Sequence, residues 1–153
     1  NDDGLEDVIR IAQKPFVATH SNSRSVYFHY RNLNDDQMRC LAAQGGMMGL
    51  NGCDCIAGLR NGMDPLEILC RHVEYEATVI GIDKVGLGLD FCDSYWEAEP
   101  KFEYRESHGD CLVNHSHVPE LTAALLQRGM NPQDAVKVIG GNWAAYFRKM
   151  LPK

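Results

Sequence analysis

Apolar positions follow two different periods along this chain, and the changes of period mark its elements. Three short apolar runs read as strands: Phe16–His20 directly after Pro15, Met47–Asn51, and Lys84–Asp90. Between them the apolar positions recur at i, i+3, i+4 and i+7. Leu5, Val8, Ile9 and Ala12 stripe a helix over Asn1–Ala12, with Asp3 and Glu6 at capping-box spacing, and Lys14-Pro15 breaks it. A second helix starts at Asn34 with Gln37 at the reciprocal capping position; Met38, Leu41 and Ala42 face inward, and Gly45-Gly46 ends it. Asp64-Pro65-Leu66-Glu67 opens a third, with proline at the first helical position and a stripe of Leu66, Leu69, Cys70, Val73 and Ala77. Pro119–Arg128, Pro132–Ile139 and Trp143–Met150 close the chain as helices, the last stapled by Trp143, Tyr146, Phe147 and Met150.

Strand alternating with helix at these intervals predicts parallel βα units, an α/β chain. Three parallel strands cannot close a barrel and leave two open edges. Residues 92–116 are polar and rich in aromatics and histidine, too long for an idle connection, and read as a lid or insertion. No linker or repeat divides the chain, so residues 1–153 form a single unit.

Composition narrows the function. With 44% hydrophobic and 24% charged residues, the chain is an ordinary globular one. A net charge of −6 argues against nucleic acid or an anionic membrane as partner, and no apolar run is long enough for a membrane span. Six cysteines (40, 53, 55, 70, 92 and 111) do not form a disulfide framework, because Cys40 and Cys70 fall on helix patterns. Cys53-Asp54-Cys55 is too tight for an ordinary structural disulfide and lacks the paired C-x-x-C of a zinc site. Reduced cysteines in a cytoplasmic protein are expected, with Cys92 the one exposed to oxidation beside Asp90.

In α/β proteins ligands gather at the C-terminal ends of strands. His20 ends the first apolar run and Asp90 the third. Taken alone, His20 is a metal-ligand candidate or a hydrogen-bonded strand-end histidine, and Asp90 a general acid/base or a turn cap. Arg31 is a carboxylate fork or a surface arginine. Asn142 reads as an N-cap for the last helix and His72 as structural. His115-Ser116-His117, with His108 nearby, reads as a polar-loop cluster rather than a metal motif, since only Leu112-Val113 precedes it and Pro119 starts a helix.

The segments K-P-F-V-A-T-H-S-N-S-R (14–24), R-N-L-N-D-D-Q-M (31–38), G-G-M-M-G-L-N (45–51), G-I-D-K-V-G-L-G-L-D-F (81–91), L-L-Q-R-G-M (125–130) and I-G-G-N-W (139–143) together resemble the membrane (renal) dipeptidase family. That resemblance implies zinc-dependent dipeptidases on a (β/α)8 TIM-type metallo-hydrolase barrel, and it covers only their C-terminal half, about strands 6 to 8 with their helices. It implies His20 as a ligand in a site of two zinc ions sharing a bridging hydroxide, Asp90 as the catalytic carboxylate contacting that hydroxide and the substrate, and Arg31 as the partner of the dipeptide carboxylate. Cys92-Asp93 replaces the family's usual D-G after D-F, which alters the loop rather than Asp90. The implied partners are a dipeptide substrate, the N-terminal half of the same barrel with the remaining ligands, and a homodimer as one compatible assembly; alone, the chain is expected to be inactive. The rival readings are a catalytically silent binding or assembly subunit, and another amide or lactam hydrolase of the same superfamily.

Overall fold

The computed structural model describes residues 2–60, 62–91 and 109–152. In chain order its elements are α1 (Asp2–Ile11), α2 (Asp35–Ala43), β1 (Met48–Leu50), α3 (Asp54–Ala57), α4 (Pro65–Ile80), β2 (Val85–Leu87), α5 (Val118–Gln127), α6 (Pro132–Val136) and α7 (Asn142–Met150). The chain is α/β and mostly helical. Cysteine 92 and most of the expected 92–116 insertion, residues 92–108 with His108 among them, lie outside the described residues.

Helix starts follow their capping chemistry. In α2 the Asn34 side chain accepts from the Gln37 N–H at 2.9 Å and the Gln37 side chain accepts from the Asn34 N–H at 3.0 Å. In α4 the Asp64 side chain accepts from the Leu66 N–H and Pro65 occupies the first turn. Helix α1 departs from expectation: it already begins at Asp2, so Asp3 lies inside the first turn instead of capping it. Asp2 instead receives both Arg24 guanidinium nitrogens, at 2.9 and 2.7 Å. None of the α1 stripe is fully buried, and Val8 is 41% exposed.

β1 and β2 are parallel, with Met48 opposite Val85 and Leu50 opposite Leu87. Pairing continues past them through Gly88 N–H to Leu50 O (3.0 Å) and Gly52 N–H to Leu89 O (3.1 Å). The expected strand Phe16–His20 is reduced to a bridge between Ala18 and Met48 on the far side of β1. Its ladder starts regularly, with Ala18 N–H to Met47 O and Gly49 N–H to Ala18 O. Then Ser21, not His20, donates to Gly49 O at 2.8 Å. One extra residue therefore stands between the pairings, a bulge at Thr19-His20 that re-aims both side chains. The Thr19 carbonyl turns across β1 into a slot that only glycine leaves open: a Cβ on Gly49 would come within 2.2 Å of it, and one on Gly88 within 1.7 Å. The run is also less buried than a central strand, because Phe16, Val17 and Ala18 are only half-buried.

α4 packs on both strands, flanked by α2 and α5. One buried cluster joins Leu50, Leu69, Val73, Val85, Leu121 and Leu125; a smaller one joins Leu33, Met38, Leu41 and Met48. α7 closes the sheet from the other side through Trp143, whose indole N–H donates to Leu87 O at 2.8 Å, while Phe147 stacks on its ring. Asn142 is not the N-cap that its position suggested. It is the first helical residue of α7, and its buried amide donates to Ile82 O and Val85 O, both at 2.7 Å. Gly141 already has a helical backbone and leads straight into α7, so Asn142 does not stand at a helix start where its side-chain oxygen would accept from a first-turn N–H.

Two polar side chains of α4 enter the core, one satisfied and one not. His72 is fully buried; its Nδ1 accepts from the Ser23 N–H at 3.3 Å and its Nε2–H donates to Ala57 O at 2.9 Å, so both ring nitrogens serve the structural purpose the sequence suggested. Burial lowers its pKa to about 4. Glu76, one turn later, is equally buried, and neither carboxyl oxygen has a hydrogen-bond partner. Burial holds its pKa well above 4.5, so the group folds as a neutral acid.

These two groups give opposite pH slopes. Below 6.5 the unfolded imidazole takes up a proton that folded His72 refuses until about pH 4, so its contribution is lost as pH falls through that window. Above 4.5 the unfolded Glu76 releases a proton that the fold retains, so its contribution is lost as pH rises. Between pH 4.5 and 6.5 the two slopes cancel. Glu76→Leu is expected to raise stability by about 1–3 kcal/mol at pH 8 and to remove the alkaline decline, leaving the His72 acid decline unopposed from pH 6.5 down to about 4. Urea unfolding of both proteins across pH 4–9 checks this. A variant less stable than the parent at pH 8 would show that Glu76 has a partner in the fold.

Candidate functional site

Each of the three parallel segments ends in a polar residue: T-H at 19–20, L-N at 50–51 and L-D at 89–90. Asn51 stands between the other two. Its Nδ2 lies 3.5 Å from the His20 carbonyl oxygen and 3.5 Å from Asp90 Oδ2, while its Oδ1 accepts from the Cys53 N–H at 2.7 Å. The 3.5 Å contacts are long, and they place His20 and Asp90 around one amide rather than bind them tightly. Asn51 was absent from the sequence-derived candidates, although an apolar run ending in a polar residue marks it just as it marks His20 and Asp90.

Asn51 is itself held from below. The fully buried Asn22 amide accepts from the Asn51 N–H at 2.9 Å and donates to the Asn51 carbonyl at 3.1 Å. Those are the backbone groups that a regular continuation of the first strand would have paired. The bulge removes that pairing and the Asn22 side chain replaces it.

His20 is exposed, and its Nδ1 lies 2.7 Å from Thr19 Oγ1. With Nδ1–H donated to that hydroxyl, Nε2 carries the lone pair, and among the described residues nothing occupies it. Asp90 sits at φ 62°, a left-handed conformation that aspartate tolerates better than most residues, and there it breaks the strand direction. An imidazole nitrogen and a carboxylate at the segment ends on either side of Asn51 suit a transition-metal ion, and they are too few to close a coordination sphere by themselves.

Arg31 is exposed, on the segment that returns from the bulge to α2. Among the described residues it has no carboxylate partner and no hydrogen bond to His20, Asn51 or Asp90. Its charge is felt by His29, whose pKa is lowered first by burial and then by Arg31. Both ends of the segment are fixed: Asn32 donates to Tyr27 O and Ile56 O at 2.9 Å, and Leu33 N–H donates to Asn22 O at 2.9 Å. Between them Phe28 (82%) and Tyr30 (71%) project outward with Arg31. The histidines at 115–117 form a single 3₁₀ turn, His115 edge-on to Phe91 and His117 beside Asn114.

Imidazole and carboxylate collected at the C-terminal ends of parallel strands are the arrangement of a metallo-hydrolase. The chain belongs to the membrane dipeptidase family, peptidase family M19, whose profile matches residues 1–150. It is 25% identical over 146 residues to the dipeptidase tcpJ of Claviceps purpurea, covering 95% of this chain and 32% of that protein. It is 36% identical over 94 residues to an uncharacterized protein of the pqqA 5′ region of Klebsiella pneumoniae, covering 60% of this chain and 35% of that one. Among solved structures it matches a Rhodobacter sphaeroides metallo peptidase liganded with a phosphinate mimic of the dipeptide L-Ala-D-Ala, at TM-score 0.78 and 28% identity, over 97% of this chain and 40% of that one. The dipeptidase AC, of family M19, superposes at TM-score 0.79 and 28% identity with the same coverage. The chain thus spans about a third of the curated relatives and two fifths of the solved ones. No helix among the described residues is long and apolar enough to cross a membrane.

Asn22→Ala is expected to cost about 2–4 kcal/mol, because it strips both partners from the buried Asn51 backbone. Asn22→Asp should recover only part of this, since a carboxylate accepts from the N–H but cannot donate to the carbonyl. Denaturant midpoints of the two variants and the parent give the order; equal losses for both would mean that the bond accepted from the Asn51 N–H contributes nothing.

Proposed function

We propose that this chain supplies one wall of a dipeptidase active site, contributing a metal ligand, a proton-transfer carboxylate and a substrate anchor to a zinc-dependent enzyme. The observation that carries the reading is the gathering of His20 and Asp90 around Asn51 at the ends of parallel segments. Family membership, and a solved relative holding a mimic of a dipeptide, support the substrate class.

In this reading the segments belong to strands 6 to 8 of a (β/α)8 barrel, and two zinc ions are held by His20 together with ligands from the rest of that barrel. The bound metal supplies polarisation of the scissile carbonyl and a lowered pKa for water. The chain's own residues do the rest. Thr19 fixes the His20 tautomer so that Nε2 presents its lone pair. Asp90, turned out of its strand by its left-handed backbone, takes the proton of the attacking water and passes it to the leaving amine. The Asn51 amide orients that carboxylate. Arg31 accepts the free carboxylate of the dipeptide in its guanidinium fork, which selects short substrates over longer chains.

Arg31 gives the direct test. Arg31→Lys is expected to weaken free dipeptides by about 1.5–3 kcal/mol, mainly through KM, because the ammonium cannot reproduce the bidentate fork. Dipeptide amides lack that carboxylate and should be poor substrates, nearly indifferent to the change. Equal losses on acids and amides would assign Arg31 to the fold.

A second test concerns completeness. We infer that the open edge along Phe16–His20 pairs with the remaining strands of the barrel, that β2 does so once Asn142 and Trp143 release its Val85 and Leu87 carbonyls, and that this chain alone neither hydrolyses dipeptides nor stays monomeric. Expressed with a polypeptide carrying the family's N-terminal half, it should gain chelator-sensitive dipeptidase activity. A monomeric and active 153-residue protein would overturn this.

A further inference from the structure

The C-D-C sequence, without a ligand partner along the chain, forms a compact cluster in space. Cys53 Sγ lies 3.4 Å from Cys55 Sγ, and a carboxylate oxygen of Asp54 falls within 4.8 Å of both sulfurs. All three side chains are half-buried. Asp54 divides its two oxygens: Oδ2 accepts from the Gly109 N–H at 2.9 Å, whereas Oδ1 is buried with no hydrogen-bond partner. A buried carboxylate oxygen without a donor is costly, and a carboxylate that keeps one such oxygen beside two thiols suits a cation. Among the described residues this is the one cluster of three side chains with such spacing.

We propose that Cys53, Cys55 and Asp54 form a binding site for a thiophilic d10 cation such as Zn2+, separate from the His20–Asp90 centre and placed just beyond the end of β1. Two sulfurs at about 2.3 Å from a tetrahedral zinc lie about 3.8 Å apart, so the pair needs to open by only a few tenths of an ångström. The Asp54 oxygen supplies a third ligand and water a fourth. Burial and the neighbouring Cys55 push the Cys53 thiol up to about 12, so without a cation Cys53 stays protonated and slow to oxidise. A metal binds thiolates and displaces thiol protons, so its affinity rises with pH.

The surroundings give the cation a structural consequence. Cys53 N–H donates to Asn51 Oδ1, and Cys53 pairs antiparallel with Asp110, flanked by Asp54 N–H to Gly109 O and Cys111 N–H to Gly52 O. A clip at 53–55 therefore fixes the loop that carries the Asn51 amide and the strip at 109–111 that returns to it. The site is independent of the dipeptidase reading, which uses none of these three side chains.

The test is a titration of the metal-free, reduced protein with Cd2+, which has the ligand preferences of zinc and reports thiolate ligation through ultraviolet charge-transfer absorption. One equivalent per chain should produce the thiolate band in the parent, in His20→Ala and in Cys40→Ser, whose thiol is exposed on α2. Cys53→Ser and Cys55→Ser should each abolish it, and Asp54→Asn should weaken binding at least tenfold. In the parent alone, Zn2+ should protect Cys53 and Cys55, but not Cys40, from alkylation mapped by peptide mass, a readout that survives any folding defect in the variants. No band, a band that persists without both cysteines, or a Cys53–Cys55 disulfide forming in place of metal uptake would each overturn the proposal.

Discussion

One side-chain amide carries the geometry of the site. Asn22 meets both backbone groups of Asn51 at the point where the strand ladder has lost its register. An unpaired N–H and C=O buried at that level would cost several kcal/mol together. The bulge at Thr19-His20 is affordable only because a short amide side chain two residues further on substitutes for the strand. Through Asn51 this one contact holds the Cys53 N–H and sets the His20 carbonyl and the Asp90 carboxylate loosely around one amide. The slot in the sheet works in the same direction. With glycine at 49 and 88, the Thr19 carbonyl can turn across β1, and a methyl at either position would push the bulge back out.

The helix layer behind the sheet holds that arrangement with polar contacts as well as apolar ones. His72 reaches forward from α4 to the Ser23 N–H and sideways to Ala57 O, joining the residue after Asn22 to the short α3. Arg24 adds a bond to Asn32 O at 3.0 Å and an N–H bond to Leu33 O at 2.8 Å. The segment bearing Arg31 is thus anchored on both flanks while its tip is exposed. That combination suits a residue which must meet a substrate in a fixed place, since the anchoring reduces the ordering cost of binding.

Element types were legible in the sequence because period and caps agree. The Asn34–Gln37 box, the Asp64-Pro65 start and the second and third apolar runs each predict a structure that the fold contains, and the first run keeps only one bridge of its strand. The polar ends of the first and third runs were legible for the same reason. What the sequence hid is long-range or subtractive. A bulge leaves no signature in T-H-S, since only the partner strand reveals the extra residue. Asn142 looks like a cap because the two carbonyls it binds are 57 and 60 residues away. Glu76 falls on the apolar face, three residues after Val73 and seven after Leu69, but its residue type reads as solvent-facing, and only the fold shows that it is buried. The C-D-C triplet lacked a paired C-x-x-C in sequence, and the orphaned Asp54 oxygen that changes its meaning exists only in three dimensions.

The contrast between His72 and Glu76 shows how differently the fold treats buried polarity away from the site and at it. In the helix layer a titratable group is kept neutral: His72 by two bonds that assign its tautomer, Glu76 by burial with no bond at all. At the strand ends the opposite holds, since His20 and Asp90 are exposed and face water. Of these four groups, the two that can offer charge and coordination lie on the side where the parallel segments end, and the two behind the sheet offer none. A sheet that presents ionisable groups at one rim and neutral ones beneath it concentrates any bound cation at that rim. Asn51 lies between the two regimes, its backbone in the buried set and its side chain in the exposed one. It joins the packing of the fold to the chemistry at its rim.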